Sequence, residues 1–134
     1  MTELAEKKAK IVKHKGVEMF ITDYSGLKGP ELLEAMQGNA KVIVPRVIGR
    51  RDCLMVNLFN DCQLTDTALK YIAKIQRAMD GTFIASALVG MSAIQKAGIE
   101  ITGCVTKSGF VTRFFDTQEE AMDWAAEEYR KSNS

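Results

Sequence analysis

Two runs, 53–59 and 83–89, limit the fold most, because each is apolar almost from end to end and the first is broken only by Asn57. A strand that is apolar on both sides must be covered on both sides, which places it inside a largely parallel sheet clothed by helices. The two runs are therefore expected as neighbouring parallel strands at the sheet centre.

Around them the pattern alternates between strand and helix. Segments 11–13 and 17–23 are β-rich and are separated by His14-Lys15-Gly16, a polar break that predicts an opening hairpin. Gly29-Pro30 then starts a helix, since a proline at the first helical position lacks only an N–H that would go unused there. Leu33, Met36, Ala40, Ile43, Val44 and Val47 continue it at helical spacing, with a kink or end expected near Pro45. Gly38-Asn39 and the β-branched run 42–44 are its weak points, and they leave a rival reading of 41–44 as a strand.

After the 53–59 run, Asn60-Asp61 signals a turn and Thr65 is placed to cap a second helix carrying Leu69, Ile72, Ile75 and Met79, stopped at Asp80-Gly81. A short helix over 92–96 follows the 83–89 strand, then a loose stretch marked by Gly98, Gly103 and Gly109, then a last strand over 109–115. Thr117 and Glu120 form a capping box for the final helix, phased by Ala121, Trp124, Ala125 and Glu128, with Trp124 docked on the sheet. The sum is an α/β chain: one domain over 1–134, with a mixed, largely parallel sheet of about five strands, an opening antiparallel hairpin and about four helices. Residues 1–9 read as a mobile or helical N-terminal extension.

Composition narrows the function classes. With 134 residues and 46% hydrophobic content, the chain can build one core. Its 18 basic and 17 acidic residues leave a formal charge of +1, which gives no reason to expect a nucleic-acid partner. No apolar run is long enough for an integral membrane segment, and the charged N-terminus lacks the apolar stretch of a signal peptide, so a cytoplasmic location is expected. Cys53, Cys62 and Cys104 are too few and too scattered for a disulfide framework or a zinc site, and read as reduced thiols. Cys62, in a polar loop, is a candidate for the more reactive thiol, although nothing nearby in sequence would lower its pKa. Arg46, Arg50 and Arg51 read as solvated cations at a helix end. His14, the one histidine, reads as exposed and inert, and Ser25 has no neighbouring base to activate it. Neither an enzyme nor a metal or cofactor is expected.

Three segments carry a family resemblance: Ile21-Thr22-Asp23-Tyr24-Ser25-Gly26-Leu27-Lys28-Gly29, Ala87-Leu88-Val89-Gly90-Met91-Ser92, and Phe115-Asp116-Thr117-Gln118-Glu119-Glu120-Ala121-Met122-Asp123-Trp124. Together they resemble a bacterial family of STAS-like (SpoIIAA-like) proteins, related in fold to anti-sigma-factor antagonists and more distantly to CRAL-TRIO lipid-transfer domains. The resemblance implies a non-enzymatic regulatory module that engages a protein partner. Its alternative is a domain binding a small apolar or lipid-like ligand, and a homo-oligomer is compatible with either.

Antagonists of this type present a serine at the start of the helix after a central strand. The matching place here is Leu64-Thr65-Asp66-Thr67-Ala68, where the serines and the glycine are missing and two threonines flank an acid. Thr65, Asp66 and Thr67 are thus candidate partner-binding or phosphoacceptor residues, against the plainer reading of a cap with an acid in the first turn. A docking role requires the 60–67 turn to be exposed and free of core contacts. Gly90, Met91 and Ser92 form a strand-to-helix turn whose backbone donors are candidates for binding an anion, again against a plain N-cap. Met19, Met36, Met55, Met79, Met91 and Met122 suggest an adaptable core or groove.

Overall fold

A computed structural model of the chain describes residues 2–3, 9–79, 81–101 and 111–133. Its strands are β1 (Thr2–Glu3), β2 (Ala9–His14), β3 (Val17–Asp23), β4 (Cys53–Leu58), β5 (Phe83–Val89) and β6 (Val111–Phe115). Its helices among these residues are α1 (Pro30–Val47), α2 (Asp66–Ala78), α3 (Ala93–Ile101) and α4 (Gln118–Ser132). The strands form one sheet in sequence order, β1-β2-β3-β4-β5-β6. The first two pairings are antiparallel and the rest parallel.

The two apolar runs are neighbouring parallel strands, as their two-sided apolar character requires: Leu54 lies opposite Ala85, Val56 opposite Ala87 and Leu58 opposite Val89. The hairpin turns through Lys15 (φ 51°) and Gly16 (φ 81°). Two successive left-handed residues make the tight turn whose twist matches the flanking strands. Each parallel connection carries a helix, so α1, α2 and α3 cover one face of the sheet and α4 covers the other.

The α4 face is closely packed. Ala85, Ala87 and Val89 of β5 meet Ala121, Ala125 and Ala126 of α4, all of them buried. Small side chains on both partners let the helix backbone approach the strand, and Leu54, Val56 and Ile21 fill the flanks. Trp124 packs at the edge of this core and against Phe115, with ring centroids 5.3 Å apart. Thr117 caps α4 in the expected box: its Oγ1 accepts from Glu120 N (3.2 Å) and donates to the Glu120 carboxylate (2.9 Å).

Several expectations need correction. Thr2–Glu3 pairs with β2 as a strand and Ala9 opens β2, while the rest of the 1–9 extension lies outside the described residues. Helix α1 ends near Pro45 as expected: it holds Pro45 in its last turn and stops at Val47, where only the final turn must give up a hydrogen bond. The rival strand over 41–44 is thereby excluded. Helix α3 is longer than 92–96 and contains Gly98, while Gly103, Gly109 and Cys104 lie outside the described residues.

His14 is neither exposed nor idle. Its Nε2–H donates to Asp123 Oδ1 at 2.7 Å, the same oxygen that Lys15 Nζ reaches at 2.9 Å, and Arg130 donates to the Lys15 carbonyl. These contacts tie the hairpin turn to α4, and those from His14 and Lys15 hold the Asp123 carboxyl below the usual carboxylate range.

Thr65 caps α2, its Oγ1 accepting from Ala68 N at 3.2 Å, whereas Thr67 is exposed in the first turn. Thr65→Ala should lower stability by about 1 kcal/mol and Thr67→Ala by less than about 0.5 kcal/mol, as read from chemical denaturation midpoints at unchanged slope.

Candidate functional site

The face covered by α1, α2 and α3 does not hold one continuous core. Toward one end, Phe20, Cys53 and Phe83 of the sheet pack against Ile43 and Val47 of α1. Toward the other end, Tyr24, Phe59 and Leu88 pack against Leu32 and Met36 of α1 and Ala68 and Ile72 of α2. Between the two clusters the sheet presents polar side chains from three adjacent strands.

Alternation along each strand puts them there. Thr22 of β3 stands opposite Asn57 of β4, and Ser86 of β5 stands opposite Met55, one step away on the same face. Thr22 Oγ1 donates to Asn57 Oδ1 (2.7 Å), and Asn57 Nδ2 donates to Ser86 Oγ and to the Ala87 carbonyl (3.3 Å each). Asn57 thereby spends both ends of its amide, and the row is satisfied internally.

Above this row lies a cavity of about 110 Å³, roofed by α1 and α2. Met36, Met55, Met79, Ile72 and Phe83 supply much of its apolar wall, and the stacked pair Tyr24 and Phe59 (centroids 5.2 Å apart) closes one end. It opens between the helices, where Ala40 and Val44 of α1 and Tyr71 of α2 also border an outer groove that includes Gln37 and Lys41. None of the residues lining the cavity is charged.

Two helix side chains in the wall are out of keeping with an apolar core. Asn39 of α1 is 1% exposed, and neither its Nδ2 nor its Oδ1 has a hydrogen-bond partner among the described residues. Gln76 of α2 is 7% exposed with Oε1 equally unpartnered. The Tyr24 hydroxyl is raised above its ordinary pKa by burial, an effect partly offset by the Asn39 and Thr22 side chains turned toward it. Burying an amide without partners costs free energy, so such groups mark a place where something other than core packing sets the residue.

The residues singled out in the sequence fall elsewhere. Thr65, Asp66 and Thr67 are exposed at the start of α2. The 60–67 turn they belong to is nonetheless anchored in the core: Cys62 is buried, its thiol donates to the Tyr24 carbonyl, and its own carbonyl accepts from Gln95 Nε2. Freedom of the whole turn from core contacts is thus not met, and Cys62 is the reverse of a reactive thiol, because burial pushes its pKa up.

At Gly90, Met91 and Ser92 two of the backbone donors expected to meet an anion have partners within the chain. Gly90 N donates to the Phe115 carbonyl and Ser92 N to Gln95 Oε1, while Ser92 Oγ accepts from Gln95 N, which is a capping box. Met91 is buried. Gly90 has φ +80°, and a Cβ there would run into the Asn60 side chain, which accounts for the glycine without a ligand.

Ser25 belongs to a turn in which its N–H donates to Asp23 Oδ1. Arg50 lies near Glu18 and Asp52. Among the described residues no three His, Cys, Asp or Glu side chains gather where a metal could sit, and no helix is long and apolar enough to cross a membrane.

Comparison with known proteins agrees with this architecture. No protein-family model and no curated protein matches the chain. Among solved structures it is similar to an uncharacterized protein of the DUF3478 family, with a SpoIIAA-like fold, from Shewanella loihica PV-4. The TM-score is 0.63 at 12% sequence identity, over 93% of this chain and 95% of the other. The chain has a SpoIIAA-like α/β fold, and at that identity the likeness speaks to fold alone.

The unpartnered amides give a stability prediction. Replacing Asn39 by Leu, which is close in size and has nothing to satisfy, should raise the unfolding free energy by about 1–2 kcal/mol in denaturant titration. Leu32→Ala, which empties a fully buried site on the same helix, should lower it by about 2–5 kcal/mol.

Proposed function

We propose that this protein is a non-enzymatic, cytoplasmic binding domain that takes a small, mostly apolar ligand between α1, α2 and the sheet. The observation that carries the reading is the pairing of an apolar cavity with the unpartnered, buried amides of Asn39 and Gln76 on its wall. Ligand sites are concave, mainly apolar and furnished with a few placed polar groups, which is the composition found here. Three methionines in the lining suit the role, since their unbranched side chains reshape around an occupant at little cost. The buried free thiols Cys53 and Cys62 fit a reducing compartment.

A second reading, docking of a protein partner at Thr65, Asp66 and Thr67, is favoured by the exposure of all three at a helix start fixed in place through Cys62. It ranks behind the cavity because a cap and a first-turn acid already account for two of the three residues. Its test is a pull-down in which Thr67→Ala loses a partner that the wild type retains.

The ligand reading is tested by native mass spectrometry of freshly purified protein, alongside Ala40→Phe, which narrows the opening between α1 and α2. The expected result is a co-purified small molecule in the wild type that is reduced or lost in the variant. A wild type that carries no adduct and takes up no small neutral apolar probe, such as toluene, would contradict it.

A further inference from the structure

We infer that the molecule selected by this cavity is neutral, about one ring in size, and bears a primary carboxamide or urea group held between Asn39 and Gln76. The inference deepens the ligand-binding reading and rests on it.

Size follows from volume. A cavity of about 110 Å³ is somewhat smaller than the roughly 150 Å³ apolar cavity that admits benzene, so one small ring or its aliphatic equivalent is the upper limit of what it encloses, with any longer part leaving between the helices. Tyr24, Phe59 and Phe83 offer ring faces or edges to such a body, and the sulfurs of Met36, Met55 and Met79 make favourable contacts with an aromatic one.

Charge follows from the wall. No lining residue is ionised, so a carboxylate or ammonium buried here would lose its hydration with no opposite charge to meet it.

The polar group follows from a count of open positions. The Thr22–Asn57–Ser86 row is already satisfied within the sheet, which leaves the helix amides to address a ligand. Asn39 Oδ1 and Gln76 Oε1 are open acceptors, while Asn39 Nδ2, though without a partner at hydrogen-bond distance, faces the Tyr24 hydroxyl. A ligand that answers the two acceptors must bring two N–H groups, and a carbonyl oxygen beside them can draw Asn39 Nδ2 from the Tyr24 hydroxyl, which is the set that a primary carboxamide or one half of urea carries. A carboxylate of the same shape brings only acceptors, and would set its oxygens against those of Asn39 and Gln76. A hydrocarbon of the same shape leaves both acceptors open, so discrimination between an amide and its apolar analogue should be large.

The experiment is calorimetric titration of the full chain with benzamide, benzoate and toluene, matched in size and differing in the group in question. Benzamide should bind at least about tenfold tighter than toluene, and benzoate should be the weakest of the three. In Asn39→Leu the benzamide preference should fall to within about twofold while toluene binding persists. Gln76→Met should shift the preference in the same direction, and it carries the test alone if the first variant does not fold. Toluene binding as tightly as benzamide, or a preference unchanged in a folded variant, would overturn the inference and leave the cavity as a ligand site. Binding of none of the three probes would overturn both.

Discussion

The hydrogen-bonded row of Thr22, Asn57 and Ser86 decides what the rest of the structure can be, because it carries polar groups across the middle of a sheet that is otherwise apolar. Three side chains that satisfy one another need no water, so they can be buried under helices at modest cost. They cannot, however, interdigitate with aliphatic side chains as a core does. The clusters built on Phe20 and Phe83 at one end and on Tyr24, Phe59 and Leu88 at the other therefore remain separate, and α1 and α2 span the interval between them.

The opposite face shows what the same strands do without such a row. There Ala85 and Ala87 alternate with Ser86, and the alanines of α4 settle against them with no space left over. One strand thus serves two environments, a sealed face and an open one, through its two-residue period. The hairpin turn, tied to α4 by the shared contact of His14 and Lys15 with Asp123, steadies the sealed face and leaves α1 and α2 as the elements bordering the opening.

Much of the fold could be read from the residues because its signals are local. The 53–59 and 83–89 runs, the His14-Lys15-Gly16 turn, Pro30 and the Thr65 and Thr117 caps each act within a few residues, and each stands where its chemistry put it. The site was harder to read, since it depends on long-range pairing. Asn57 was visible as an interruption of an apolar run, but its partners Thr22 and Ser86 come from strands 35 and 29 residues away. Asn39 reads as a weak point of α1, and Leu33, Ala40 and Val44 of the phasing set lie off the buried stripe, which runs through Leu32, Met36, Asn39, Ile43 and Val47. Gln76 gave no signal, because a glutamine on an amphipathic helix ordinarily faces water. His14 and Cys62 depart from their local pattern because Asp123 and the Tyr24 carbonyl are distant in sequence and near in space.

The central claim is that the buried amides of Asn39 and Gln76 are kept for a ligand rather than for packing. A high-resolution crystal structure of the protein as purified, without added ligand, tests it most directly. The account predicts density between α1 and α2 for a small molecule with a polar group within hydrogen-bond distance of both amides. Helices collapsed onto the sheet, with Asn39 and Gln76 bonded to each other and no space left between them, would contradict it.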